Sequence, residues 1–317
     1  MKVFITGIAG MIGYHTAKKL IEDGHEVWGI DDHNSYYDPQ LKQDRENILT
    51  DMGMKRPMLG DISVVDFQGG LFEDWDIILH LAAYANPRHA MDFPEDYVQT
   101  NIMGTEQIIR GARRSKKPVV YASSSCVMHG QPLPWKEELT EPHYQNNPYG
   151  WSKYVNECQF SYAKLPAAAG LRFFTVYGPY GRPDMALFDF TRAIVEGEQI
   201  KAYNNGEMFR DWTYVEDIVQ GIILVLHATL EGKLESKHEI FNIGYGAKTN
   251  LMDFIKYIGE DLGREPDVLL APMHPADTPV TWADTSKLQK LGYNPSTPLR
   301  EGVTKFVEWY KEYYNVN

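Results

Sequence analysis

Tyr149-Gly150-Trp151-Ser152-Lys153 sets a phenol and an amine at i and i+4, on one face of a helix. A cation held beside a phenol favours phenolate and draws its pKa down from about 10. Such a Tyr can take and return a hydroxyl proton, and Lys153 can also hold a ribose. The spacing is common, however, and an exposed surface pair reads equally well. Ser123-Ser124-Ser125 supplies a third chemical group. A hydroxyl at a strand end can hold a substrate oxygen, although a Ser run also suits a helix cap or a turn.

Near the start, Thr6-Gly7-Ile8-Ala9-Gly10-Met11-Ile12-Gly13 spaces its glycines G-x-x-G-x-x-G. Gly7 permits a tight turn, Gly10 lets backbone approach a pyrophosphate, and Gly13 allows close helix–strand packing. The phosphates would then lie at the positive end of a helix that begins with Met11 and Ile12. Three glycines alone are also compatible with an ordinary strand–helix turn. Asp31 follows about 20 residues on, the spacing of a ribose-binding carboxylate. Its oxygens can accept from both ribose hydroxyls and would repel a 2′-phosphate, which favours NAD over NADP. The other reading of Asp31 and Asp32 is a solvated strand-end pair. Asp61-Ile62 and Leu81-Ala82-Ala83 fall in loops that would cover the adenine and the pyrophosphate.

These groups need a scaffold that brings strand ends together. Apolar runs predict strands at 2–6, 26–30, 76–80, 118–122 and 171–175, and helical patterns fall at 11–23, 64–72, 94–114 and 148–163. Apolar runs alternating with helices predict an α/β, doubly wound (Rossmann) parallel sheet. After about Gly178 the elements shorten, with helices expected at 187–196, 215–230, 250–262 and 299–314. This predicts a smaller C-terminal α/β substrate-binding lobe. The expected domains are residues 1–178 and 179–317, with some chain returning to the first.

Composition narrows the class. The 317 residues are 43% hydrophobic and 23% charged, as in a globular protein. A net charge of −12 disfavours nucleic acid and anionic membranes as main partners. The longest apolar stretches are too short to span a bilayer of about 30 Å, and Met1-Lys2 runs straight into the first strand, which argues against a secretory leader. Two cysteines, Cys126 and Cys158, suit a reducing cytoplasm. No Cys/His/Asp cluster has metal-ligand spacing, so no metal is expected.

The glycine loop, Ser124, Tyr149 and Lys153 together resemble the extended short-chain dehydrogenase/reductase superfamily, in its branch of NAD-dependent nucleotide-sugar epimerases and dehydratases. The likeness runs through nearly the whole chain. Two segments are more specific: Asp31-Asp32-His33-Asn34-Ser35-Tyr36-Tyr37-Asp38-Pro39, and the run from Leu171-Arg172-Phe173 to Arg182-Pro183-Asp184-Met185-Ala186. Both resemble UDP-glucuronate 4-epimerases. The resemblance implies a bound NAD regenerated in each turnover, with Tyr149 removing the C4 hydroxyl proton and Ser124 holding the C4 oxygen. A 4-keto sugar would turn and be reduced on its other face. It also implies a homodimer formed through the helices at 94–114 and 148–163, and a place in polysaccharide biosynthesis.

For a uronic acid the resemblance points to Arg182 beside the carboxylate, with Ser125 and Thr175 as hydroxyl donors and Cys126 and Ala186 nearby. An Arg fork can grip a carboxylate at two points; the alternative is a loop pair with Asp184. Arg88 is a second basic candidate, or an ordinary exposed loop Arg. The segment from Asn204 to Val215 resembles the one whose Arg binds the diphosphate, which assigns that role to Arg210. Tyr203 and Phe188 are nucleotide contacts or plain core aromatics, and Asp277 matches a position near ribose or phosphate. Departures lie beside the sugar: Val127-Met128-His129-Gly130 replaces a more usual Val-Tyr-Gly, and Cys126 stands where decarboxylases and many dehydratases have an acid. The implied activity is interconversion of UDP-glucuronate and UDP-galacturonate. A UDP-hexose (glucose or N-acetylhexosamine) 4-epimerase, a UDP-glucuronate decarboxylase and a nucleotide-sugar dehydratase remain alternatives. The intact Ser124/Tyr149/Lys153 set opposes a binding protein without turnover.

Overall fold

After Lys2, every residue of the strand Lys2–Thr6 is buried, the pattern of a strand covered on both faces. Val3 and Ile5 pack on one side with Leu20, Ile218 and Ile222; Phe4 packs on the other with Phe72, Trp75, Ile108 and Phe160. This alternation places one apolar layer on each face of a sheet. The computed structural model describes residues 1–140 and 145–316. In it β1 (Lys2–Thr6), β2 (Glu26–Asp31), β3 (Met58–Leu59), β4 (Ile77–His80), β5 (Val119–Ser124), β6 (Ala168–Phe173) and the strand His238–Ile243 form one seven-stranded sheet.

The order is His238–Ile243, β6, β5, β4, β1, β2, β3, and every pairing is parallel. From β1 the chain moves outward to β2 and β3, then returns to place β4 on the other side of β1. That reversal leaves a crevice at the carboxyl ends of the strands, as the α/β reading expected. A third apolar cluster forms the lobe, where Trp212 stacks on Phe254 at 4.1 Å between centroids. The helix Val215–Leu230 and the strand His238–Ile243 return to the sheet from beyond residue 178.

Three segments differ from expectation. Residues 64–72 form no α-helix: Asp66 caps a single short turn at Phe67–Gly69, and Gly70 ends it at φ 91°. The strand expected at 171–175 is split. β6 stops at Phe173, and Thr175–Tyr177 pairs with Trp212–Tyr214 in the lobe. Helix α2 (Gln40–Asp51) was not anticipated, because a largely polar segment gives almost no apolar stripe. Helix α1 (Met11–Glu22) follows β1 as expected.

Behind the helix Pro148–Tyr162, Glu157 receives a two-point ion pair from Arg172 of β6, both bonds at 2.8 Å. Ser123 of β5 donates to the same carboxylate at 2.6 Å. All three residues are buried. Removing one partner of a buried pair strands the other charge. Glu157→Ala is therefore expected to lower unfolding free energy by about 3–5 kcal/mol in urea titration; a loss below about 1 kcal/mol would contradict this anchoring.

Candidate active site

A cleft of about 700 Å³ opens at the carboxyl ends of the strands and is closed by the lobe. The glycine turn, the serines, the Tyr149/Lys153 pair and the lobe arginines all line it.

At the cofactor end, Gly7 adopts φ 71°, and a Cβ there would lie 2.8 Å from the Ala82 nitrogen. A Cβ on Gly13 would collide with the Gly7 carbonyl and approach the Ile8 Cα to 2.9 Å. Only glycine fits either place. Gly10 opens α1 without a side-chain cap, and the first turn holds no acidic residue, so Met11, Ile12 and Gly13 present their N–H groups to the cleft wall unopposed. Leu81 and Ala82 are fixed by Thr6, whose Oγ1 accepts from both backbone nitrogens at 3.1 Å. The Thr6 proton is then left for His80 Nδ1 at 2.7 Å, and His80 Nε2 donates to Thr105 at 2.9 Å. Burial draws His80 down to about 3, so this link stays neutral. The sequence reading missed it.

Asp31, Asp61, Ile62 and Ala83 reach the cleft as expected. Asp31 is buried and accepts from the Ala9 and His33 nitrogens, both at 3.1 Å, which leaves lone pairs free for ribose hydroxyls. Lys42 of α2 lies 3.8 Å from both Asp31 and Asp32. It offsets one of the two charges, so the pocket that would exclude a 2′-phosphate is less negative than the sequence suggested. The glycine cradle, uncapped helix start and strand-end carboxylate fit NAD.

The helix Pro148–Tyr162 starts where Asn147 accepts from the Gly150 nitrogen at 2.8 Å and Pro148 occupies the first turn. Tyr149 and Lys153 are both buried, so the surface-pair reading does not hold. Lys153 donates to the Ala122 carbonyl at 3.0 Å. Ser124, the last residue of β5, both faces the cleft and accepts from the Cys126 nitrogen at 3.2 Å; the cap and the site are one residue. The expected electrostatics need correction. Burial above all, and then the neighbouring Cys126, raise the Tyr149 pKa above its ordinary value, while Ser124 and Arg182 pull it down. Lys153, one turn along the helix, moves the other way. Its own pKa falls from 10.5 to about 7 through burial.

At the lobe end, Ser125, Cys126, Thr175, Arg182, Ala186, Tyr203, Arg210 and Asp277 line the cleft, with Arg88 at its rim. Phe188 does not. It is buried in the lobe against Tyr310 and Phe306, because it lies about 200° round the helix Ala186–Glu196 from Ala186. Phe190 and Ala193, one and two turns beyond Ala186, face the cleft instead. Arg182 takes the loop-pair alternative. Its Nε and one terminal nitrogen grip Asp184 at 3.0 and 2.6 Å, and the other donates to the Ala85 carbonyl at 3.2 Å. Burial opposes the Arg182 charge, but Asp184 more than offsets it, and its pKa is raised. Tyr36 and Asn86 also donate to Asp184, at 2.9 and 2.8 Å. Neither was picked out as a contact from sequence.

Arg88, Tyr203 and Asp277 meet one another: Arg88 donates to Asp277 at 2.8 Å and lies 4.3 Å from the centre of the Tyr203 ring. Arg210 donates to the Phe209 and Pro279 carbonyls at 2.9 and 3.2 Å, and burial lowers its pKa. Burial likewise pushes the Cys126 thiol up, which keeps it protonated. Among the described residues, no group of three His, Cys, Asp or Glu side chains could hold a metal, and no helix is long and apolar enough to cross a membrane.

A family model described as the NAD dependent epimerase/dehydratase family matches residues 3–244. A probable UDP-glucuronate 4-epimerase from Rhizobium meliloti is 37% identical, covering 99% of this chain and 98% of its own. The UDP-glucuronic acid 4-epimerase of Bacillus cereus, solved with UDP-glucuronic acid and NAD, superposes with TM-score 0.88 at 28% identity over 99% of this chain and 100% of its own. A UDP-glucose 4-epimerase from Thermotoga maritima, solved with UDP-glucose, gives 0.83 at 25% identity, with 99% and 100% coverage.

The Lys153 shift has a consequence for stability. Its folded-state pKa lies below its ordinary value of 10.5, at about 7, so the unfolded chain binds more protons between those values. Stability contributed at this site rises with pH through that window and is lowest below pH 7. Lys153→Met is expected to gain on the parent by about 3 kcal/mol more at pH 6 than at pH 9.5, read from denaturant unfolding. Parallel pH curves for the two proteins would contradict the shift.

Proposed function

We propose, since the chain belongs to the NAD dependent epimerase/dehydratase family, that it interconverts UDP-glucuronate and UDP-galacturonate by inverting C4. The observation that carries this reading is the burial of Ser124, Tyr149 and Lys153 at one strand end, in a cleft that also holds Arg182 and Arg210. Similarity to a probable UDP-glucuronate 4-epimerase over 99% of the chain supports it.

Tyr149 removes the C4 hydroxyl proton and later returns it; its raised pKa makes it a strong base once ionised. Ser124 holds the C4 oxygen through both proton transfers, and Lys153 holds the nicotinamide ribose. NAD bound at the glycine turn supplies reversible hydride chemistry. Arg210 neutralises diphosphate charge, with Tyr203, Asp277 and Arg88 along the nucleotide. Arg182, Ser125 and Thr175 hold the uronate carboxylate, and this grip restrains the 4-keto β-keto acid from losing CO2. The division at 178/179 separates a cofactor lobe from a sugar lobe.

A homodimer through the helical segment 94–115 and the helix Pro148–Tyr162 fits the large apolar groups left exposed there, Val98, Met103, Trp151 and Tyr162. A cytoplasmic location fits the two free cysteines, and uronate supply fits polysaccharide biosynthesis. One observation favours a second reading, a neutral UDP-hexose: Asp184 already compensates Arg182.

Incubating the purified protein with UDP-glucuronate, UDP-glucose and UDP-N-acetylglucosamine, without added NAD, and reading products by NMR separates these. UDP-galacturonate is the expected main product; a UDP-pentose or turnover of neutral sugars alone would overturn the reading. Tyr149→Phe should cost about 10²–10⁴ in kcat. Arg182→Ala should reduce kcat/KM for UDP-glucuronate by about 30-fold more than for UDP-glucose, the loss of a charge-assisted two-point contact; the loss common to both sugars is that of the Arg182 charge near Tyr149. Equal losses would favour the hexose reading.

A further inference from the structure

Arg45 of α2 is fully buried, and no carboxylate among the described residues pairs with it, whereas buried charges are ordinarily paired. All four terminal N–H groups go to uncharged oxygens instead. One nitrogen donates to the Ala9 carbonyl in the glycine turn at 2.8 Å and to the Tyr37 hydroxyl at 3.0 Å. The other donates to the carbonyls of Tyr180 at 2.6 Å and Gly181 at 3.3 Å. One planar fork thus joins the turn that cradles the cofactor to the residue before Arg182.

The gripped loop is strained. Tyr180 adopts φ 53°, an uncommon conformation for a bulky residue that persists only when its surroundings enforce it. Its ring lies 5.1 Å from Tyr14 and 5.0 Å from Trp309. His15 Nε2 of α1 donates to the preceding Pro179 carbonyl at 2.9 Å. Three successive carbonyls, 179 to 181, are therefore held by side chains of α1 and α2. Arg182 follows directly.

We propose that Arg45 is a positioning residue that couples the glycine turn to Arg182, so that cofactor binding and sugar binding reinforce each other. This rests on the functional reading above. Order imposed on Ala9 passes through the fork to Gly181 and sets where Arg182 stands. The guanidinium touches neither ligand, since it is absent from the cleft wall.

Equilibrium dialysis of the full chain gives the NAD dissociation constant with and without saturating UDP-glucuronate. In the parent, UDP-glucuronate is expected to tighten NAD by at least about fivefold, the lower end of ordinary coupling between sites. In Arg45→Met the factor should fall below about twofold while each ligand still binds. Arg45→Lys keeps the buried charge but cannot span both sides, so it should lose the coupling too, and it carries the test if Arg45→Met does not fold. A purely structural role would weaken binding or stability yet leave the ratio intact. A fivefold factor retained in a folded variant, or no coupling in a parent that binds both ligands, would overturn the proposal. A parent that binds neither ligand contradicts the functional reading, and the proposal with it.

Discussion

Removing a phenol and an amine from water is the constraint on which this site depends. In solution, a Tyr and a Lys four residues apart would place a cation beside the phenol. Inside the cleft both groups are pushed toward neutrality, the phenol upward and the amine to about 7. A charge formed on Tyr149 therefore has to be stabilised by groups already in place. Ser124 and Arg182 do this, and both are held by others: Ser124 by the register of β5 and its bond to Cys126, Arg182 by Asp184 and the Ala85 carbonyl. The Glu157–Arg172 pair fastens the helix that carries Tyr149 to β6. Preorganised groups of this kind are effective because they need not reorient as charge develops.

The arginines divide the work in an otherwise acidic protein. Arg172 and Arg182 are neutralised by Glu157 and Asp184 and set geometry. Among the described residues, Arg210 and Arg45 have only carbonyl or hydroxyl acceptors and keep their charge available to the interior. A chain of net charge −12 can thus hold a cleft suited to anions, because field inside a cleft follows the nearest groups rather than the total.

That the glycine turn, Asp31, Ser124, Tyr149, Lys153 and most of the named lobe residues meet on one cleft was legible in the sequence, because each depends on residue type at a fixed spacing along one element. What was not legible depends on contacts across the chain. Helix α2 escaped notice for want of an apolar stripe, and with it Lys42 beside Asp31 and Arg45 behind the turn. Phe188 was misplaced because a run of apolar residues does not show which side of a helix faces a cleft. The sign of the Tyr149 shift was missed for a related reason. Spacing shows that two groups are near each other, but only packing shows how far both are removed from water.

In the proposed reaction Tyr149 moves a proton at C4 while the C4 hydrogen itself leaves and returns without reaching solvent. UDP-glucuronate carrying deuterium at C4, incubated with the protein in ordinary water, tests this directly by NMR of the recovered sugars. The expected result is UDP-galacturonate with deuterium retained at C4. Inverted product that has lost the label to water, or no inversion at C4 at all, would contradict this reaction.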